Sequence, residues 1–157
     1  MRIIRDALHK LFFVHTGQNS DPKLNEVFFE DLELRAPDYY LNVDTSSMGS
    51  VMGDVIKKSE EVFQKEKPDA VMILGDTNSA IAAIVAERLH IPVYHMEAGN
   101  RSFDNNVPEE LNRKMVDHVA SFNLPYNDYS MRNLLAEGIL PRFIQKTGSP
   151  IREIYEH

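Results

Sequence analysis

Short apolar runs alternate along the chain with stretches of helical period. LFFVH at 11–15, AVMILG at 70–75, PVYHMEAG at 92–99 and FIQKTG at 143–148 each lead into small or polar residues, as buried strands do where they open into loops. Between the first two, Val51, Val55, Val62 and Phe63 recur at helical spacing across 48–65, and Lys57, Lys58, Glu60 and Glu61 take other positions. The stretch SAIAAIVAERL at 79–89 is Ala-rich and almost uniformly apolar, which predicts a helix packed on a sheet, stopped ahead of Ile91-Pro92. Further helices are predicted over 109–120 and 129–137, the second closed by Gly138 at a C-cap position. Residues 35–50, with Pro37, Asn42, Asp44 and Gly49, read as a long surface loop.

Strand, helix, strand, helix, strand in that order is the signature of βαβ units on a mostly parallel sheet. The expected fold class is therefore α/β: a Rossmann-like sheet with flanking helices, forming a single domain over residues 1–157. Composition fits such a domain, with 43% hydrophobic and 26% charged residues. No apolar run approaches the roughly 20 residues of a membrane span, and MRIIRDALHK has no signal-peptide core, so a cytoplasmic protein without a membrane partner is expected. Cysteine is absent, which removes disulfides, thiolate metal sites and thiol catalysis. A net charge of −7 gives no basic footprint for nucleic acid, while an anionic small ligand needs only a few local donors.

In open parallel sheets ligands gather at the carboxyl ends of strands, which directs attention to three clusters. Gly75-Asp76-Thr77-Asn78-Ser79 sits where a strand turns into a helix; simple capping explains it as readily as ligand binding. His95-Met96-Glu97-Ala98-Gly99-Asn100-Arg101 places two ionisable groups at i and i+2, on one face of a strand end, with Arg101 close by. A functional site and a satisfied core histidine beside a salt bridge both fit it. Pro108-Glu109-Glu110-Leu111-Asn112-Arg113 has the acidic first turn of an ordinary helix. His90, His95, Glu97, Asp117 and His118 could make an N/O metal site, but no HExxH-type spacing occurs, and neither a metal nor a cofactor is expected. G-x-S-x-G, Walker A and G-x-G-x-x-G are absent as well.

Taken in order, VHTGQN (14–19), LGDTNSA (74–80), HMEAGNRSFD (95–104), VPEELNRKMVDHVA (107–120) and KTGSP (146–150) resemble the non-hydrolysing UDP-N-acetylglucosamine 2-epimerases, in forms closest to the capsule and O-antigen branch. The resemblance implies the first of two Rossmann-like domains in a B-type glycosyltransferase arrangement, with a UDP-sugar substrate in the cleft between them. It implies loss of the C2 proton and of UDP from C1, a 2-acetamidoglucal intermediate, and re-addition with protonation on the opposite face. Its acidic residues map onto Asp76, Glu97 and Glu109, and substrate contacts are expected from His95, Arg101, Asn112, Arg113 and Gln18. The chain departs from the family pattern at its opening, where a strand and a G-T-R-P-E phosphate loop are not matched, and in lacking the second domain. The expectation is thus a truncated epimerase serving surface polysaccharide synthesis, inactive alone and completed by the missing domain or a partner chain, with homo-oligomerisation. The competing expectations are a non-catalytic binding module and a UDP-sugar hydrolase.

Overall fold

The computed structural model describes residues 10–17, 35–151 and 155. They fall into two compact units divided between Val51 and Met52, a boundary that lies inside helix α1 (Met48–Glu66). In the first unit, β1 (Val14–His15) pairs in parallel with β2 (Tyr39–Tyr40), in register Val14 to Tyr39 and His15 to Tyr40. Asp38 staples the pair: its carboxylate accepts the Phe13 N–H at 2.6 Å and meets Arg35 at 2.8 Å. The expected strand 11–15 is therefore a ladder only over its last two residues. The 35–50 stretch, expected as surface loop, instead contains β2 and buries Leu41 and Val43. Backbone pairing explains this, since the Leu41 N–H donates to the His15 carbonyl at 2.9 Å and the Val43 N–H to that of Thr16 at 3.1 Å.

The second unit is built on a three-stranded parallel sheet in the order β3 (Val71–Leu74), β4 (Val93–Met96), β5 (Phe122–Leu124). Ile73 lies opposite His95, and His95 opposite Asn123. A 3-10 turn (Asn78–Ile81) and α2 (Ala82–Arg88) join β3 to β4, where a single helix over 79–89 was expected; α3 (Pro108–Val119) joins β4 to β5. Ala80, Ala83 and Ala86 let these crossover segments press close to the sheet, forming a core with Phe63, Ile73, Val85, Ile91, Val93 and Val116. Full burial of each Val or Ile contributes roughly 1.5–3 kcal/mol relative to exposure. α4 (Asp128–Ala136) is capped by Asn127, whose side-chain oxygen accepts the Ser130 N–H at 2.9 Å. Gly138 follows with φ +91°, as its C-cap position required.

Two strand expectations need correcting. In FIQKTG, Phe143 ends a 3-10 turn (Pro141–Phe143), and only Ile144 bridges to Asn123. The strand the pattern missed is β5, because its central position is Asn123, fully buried, with its amide donating to the Asp117 carbonyl at 2.9 Å.

Candidate active site at the ends of β3 and β4

β4 alternates strictly, so Val93 and His95 face the core and Tyr94 and Met96 the other side. The i, i+2 argument fails one step later. The strand ends at Met96, and Glu97 takes φ +66°, a left-handed conformation that costs a non-glycine residue about 1–2 kcal/mol. Its carboxylate thereby leaves the core side and comes over Gly75, one oxygen 3.6 Å from where a Cβ on that glycine would lie. Asn100 donates its amide to the other oxygen at 3.1 Å and is itself fixed by the Ser130 hydroxyl at 2.7 Å. The Tyr126 hydroxyl is buried without a hydrogen-bond partner among the described residues, and burial and the charge of Glu97 push its ionisation up.

Asp76, next to Gly75, is held by the second turn of α3. Arg113 Nε meets its carboxylate at 2.6 Å, and the Asn112 amide donates to its backbone carbonyl at 3.0 Å and to Asn78 Oδ1 at 3.1 Å. Glu109 precedes Asn112 by three residues and Arg113 by four, so helix geometry puts it on the same face. Its half-buried carboxylate makes no hydrogen bond or ion pair with any other described residue. Glu110 turns inward instead. Burial works against its charge, but the Ser102 N–H at 2.9 Å, the Ser102 hydroxyl at 3.1 Å and Lys114 at 3.3 Å prevail and hold its carboxyl down at about 2.

Behind this surface lies an ionic chain. His95, 1% exposed, meets Asp117 Oδ1 at 2.8 Å through Nδ1 and the Gly75 carbonyl at 2.9 Å through Nε2. Arg101, with a fully buried side chain, meets Asp117 at 2.7 Å and Glu137 at 2.5 Å. Burial opposes the charge of Arg101, yet Glu137 and Asp117 raise its ionisation beyond the ordinary value. His95 and Arg101 were expected among the substrate contacts; in the structure β4 alternation and the buried Asp117 turn them inward, where their polar atoms meet protein groups. Asn112 and Arg113 act on Asp76, and Gln18 lies outside the described residues. Tyr126 and Glu137 were not singled out in the sequence, and Asp117 only as a candidate N/O metal ligand. The sequence signal for Asp117 is its place beside core Val116 on an otherwise amphipathic helix.

An α/β domain with a parallel sheet and carboxylates gathered at its strand ends is the class of the first half of a B-type glycosyltransferase-like enzyme. Residues 2–157 match the family model for UDP-N-acetylglucosamine 2-epimerase, and the chain belongs to that family. It is 48% identical to the UDP-N-acetylglucosamine 2-epimerase of Rickettsia bellii, with a TM-score of 0.85 over 92% of this chain and 39% of that one. The enzyme from Methanocaldococcus jannaschii, solved in complex with UDP-GlcNAc and UDP, gives a TM-score of 0.91 at 39% identity, over 96% of this chain and 42% of that one. The UDP-2,3-diacetamido-2,3-dideoxy-D-glucuronate 2-epimerase of Pseudomonas aeruginosa is 42% identical over 87% of this chain and 39% of its own length. The chain thus spans about two-fifths of the relatives it matches.

Proposed function

We propose that this chain is the N-terminal, Rossmann-like domain of an epimerase that inverts C2 of a UDP-linked 2-acetamido sugar for surface polysaccharide synthesis. The observation that carries the reading is the convergence of Asp76 and Glu97 around Gly75, with Glu109 on the helix face that grips Asp76. A C2 proton is weakly acidic, so its removal needs a base held within hydrogen-bond reach, and inversion needs an acid on the other face. In the proposed sequence one carboxylate takes the C2 proton and the C1–O bond breaks, with UDP leaving on its electron pair. The C1=C2 bond of the glucal forms. UDP then re-adds at C1 while a second acidic group protonates C2 from the opposite side. Gly75 lacks the side chain that would fill the space beside Glu97, leaving room for a sugar ring to approach it.

UDP-linked sugars are named for the relatives on both sides of the comparison, which supports the nucleotide-sugar class over other anionic ligands. The test joins this chain to the remaining length of a relative and follows UDP-N-acetylglucosamine in deuterated water. Incorporation of deuterium at C2 with formation of the manno epimer is the expected result, lost in Glu97→Gln with folding intact. Absence of exchange in the unsubstituted form, or its persistence in Glu97→Gln, refutes the reading or the role of Glu97 respectively. The 157-residue chain alone is expected to be inactive, since a one-walled site neither excludes water nor orients its substrate.

A further inference from the structure

We propose that Asp117 is a positioning residue: one buried carboxylate that sets the spacing between the loop carrying Asp76 and the loop carrying Glu97. The inference rests on the reading of those two groups as the reacting pair.

Two lines of contact leave Asp117. Along the first, Oδ1 meets His95 Nδ1 at 2.8 Å, and His95 Nε2 meets the carbonyl of Gly75 at 2.9 Å, the peptide that continues into Asp76. Along the second, the Gly99 N–H reaches Oδ2 at 3.1 Å, two residues beyond Glu97. Arg101 Nη1 reinforces that line by donating to Oδ2 and to the Asn100 carbonyl, both at 2.7 Å, while the Asn100 amide donates to Glu97 at 3.1 Å. Both loops therefore hang on a single group that has no solvent exposure of its own.

The hydrogen-bond inventory makes the link stiff. A backbone carbonyl only accepts, so Nε2 is the donor toward Gly75, while the Asp117 carboxylate also receives Arg101 and the Gly99 N–H. The ring meets both partners at once. Arg101 sits between Asp117 and Glu137, so each of these charges has an opposite partner, which is the condition under which buried ions are tolerated. Charge-assisted bonds are short and directional, and a displacement near 1 Å in a reacting group costs on the order of 100-fold in rate. A device of this kind fixes geometry without touching substrate.

Asp117→Asn keeps the shape and removes the charge. In the isotopically labelled chain, the amide signals of Asp76 and Gly99 are expected to shift together. Movement of Gly99 with Asp76 unchanged overturns the link. Should this variant not fold, Arg101→Lys is read in its place; it keeps one cation but not the fork, and is expected to move Gly99 and Asn100 while leaving Asp76 in place. In the enzyme completed with a relative's remaining length, assayed per folded molecule well below the melting midpoint, Asp117→Asn is expected to lower kcat about 100-fold with KM within about threefold. An unchanged kcat with a lowered melting midpoint makes Asp117 merely structural and overturns the proposal. If the unsubstituted enzyme turns over no UDP-sugar, the functional reading falls, and the paired shifts in the chain alone still decide whether Asp117 couples the loops.

Discussion

The motif HMEAGNR at 95–101 is shared between two regions that differ in almost every physical respect. Glu97, with Asp76 and Glu109, belongs to a partly solvated surface at the strand ends. His95 and Arg101 belong to a dry ionic chain through Asp117 to Glu137, in which Arg101 and Asp117 have no exposed side-chain surface. Residues one or two positions apart therefore answer to different constraints. At the surface Glu97 accepts one hydrogen bond, from Asn100, and Asp76 pairs with Arg113, whereas each buried group is fixed by two or three others and its loss leaves a charge stranded. On the proposed reading, the motif interleaves a folding device with a chemical one, and substitutions can pull the two apart.

The largest expected effect lies between the regions, at Gly99. Its φ is +79°, and a Cβ there would sit 2.2 Å from the Ser130 carbonyl oxygen, a backbone atom of α4 that cannot swing away. Left-handed strain and overpacking together make Gly99→Ala destabilising by about 4 kcal/mol or more, read as the shift in denaturant midpoint. A loss under 1 kcal/mol, on the order of a surface change, would mean that α4 does not pin this loop. Arg101→Met comes next, at about 3 kcal/mol, because breaking a buried pair strands Asp117, while Glu137, 27% exposed, recovers some hydration. If this variant is instead as stable as the parent, the buried chain contributes no stability and the contrast between the regions collapses.

A smaller effect is expected at Glu110 and depends on pH. Its folded carboxyl titrates at about 2 against an ordinary 4.5, so its contribution is present above the ordinary value and is lost as pH falls toward 2. The stability difference between the parent and Glu110→Gln should shrink on acidification through that window; a constant difference would remove ionisation as the cause. Smallest is Glu97→Gly, expected to stabilise by roughly 0.5 kcal/mol, since relief of the left-handed backbone slightly exceeds the added chain entropy. The same change should abolish turnover in the completed enzyme. A stabilised but inactive variant sharpens the comparison; a clearly destabilised one would place Glu97 among the folding residues.

Much of this was legible in the sequence, and the failures have physical causes. β4 lies inside the apolar run read over 92–99, and α1, α3 and α4 were read within about a residue at either end. β5 was invisible because three residues around a buried asparagine carry no period. The resemblance put forward Asp76, Glu97 and Glu109 as the expected acidic residues, but it could not say which polar groups of 95–101 turn inward. That choice is made by a strand ending at Met96 and by a partner, Asp117, some 20 residues away along the chain.

Tyr126 offers a means of watching the site without any label. The chain has no tryptophan and 6 tyrosines, so its absorbance at ~280 nm belongs to phenols alone. Of these, Tyr126 has a buried hydroxyl with no partner among the described residues and titrates above the ordinary value, through burial and the negative charge of Glu97. Its absorbance is therefore an optical gauge of that charge. Neutralising Glu97 by Glu97→Gln is expected to move the alkaline transition of this one chromophore down, a shift that a spectrophotometric titration measures.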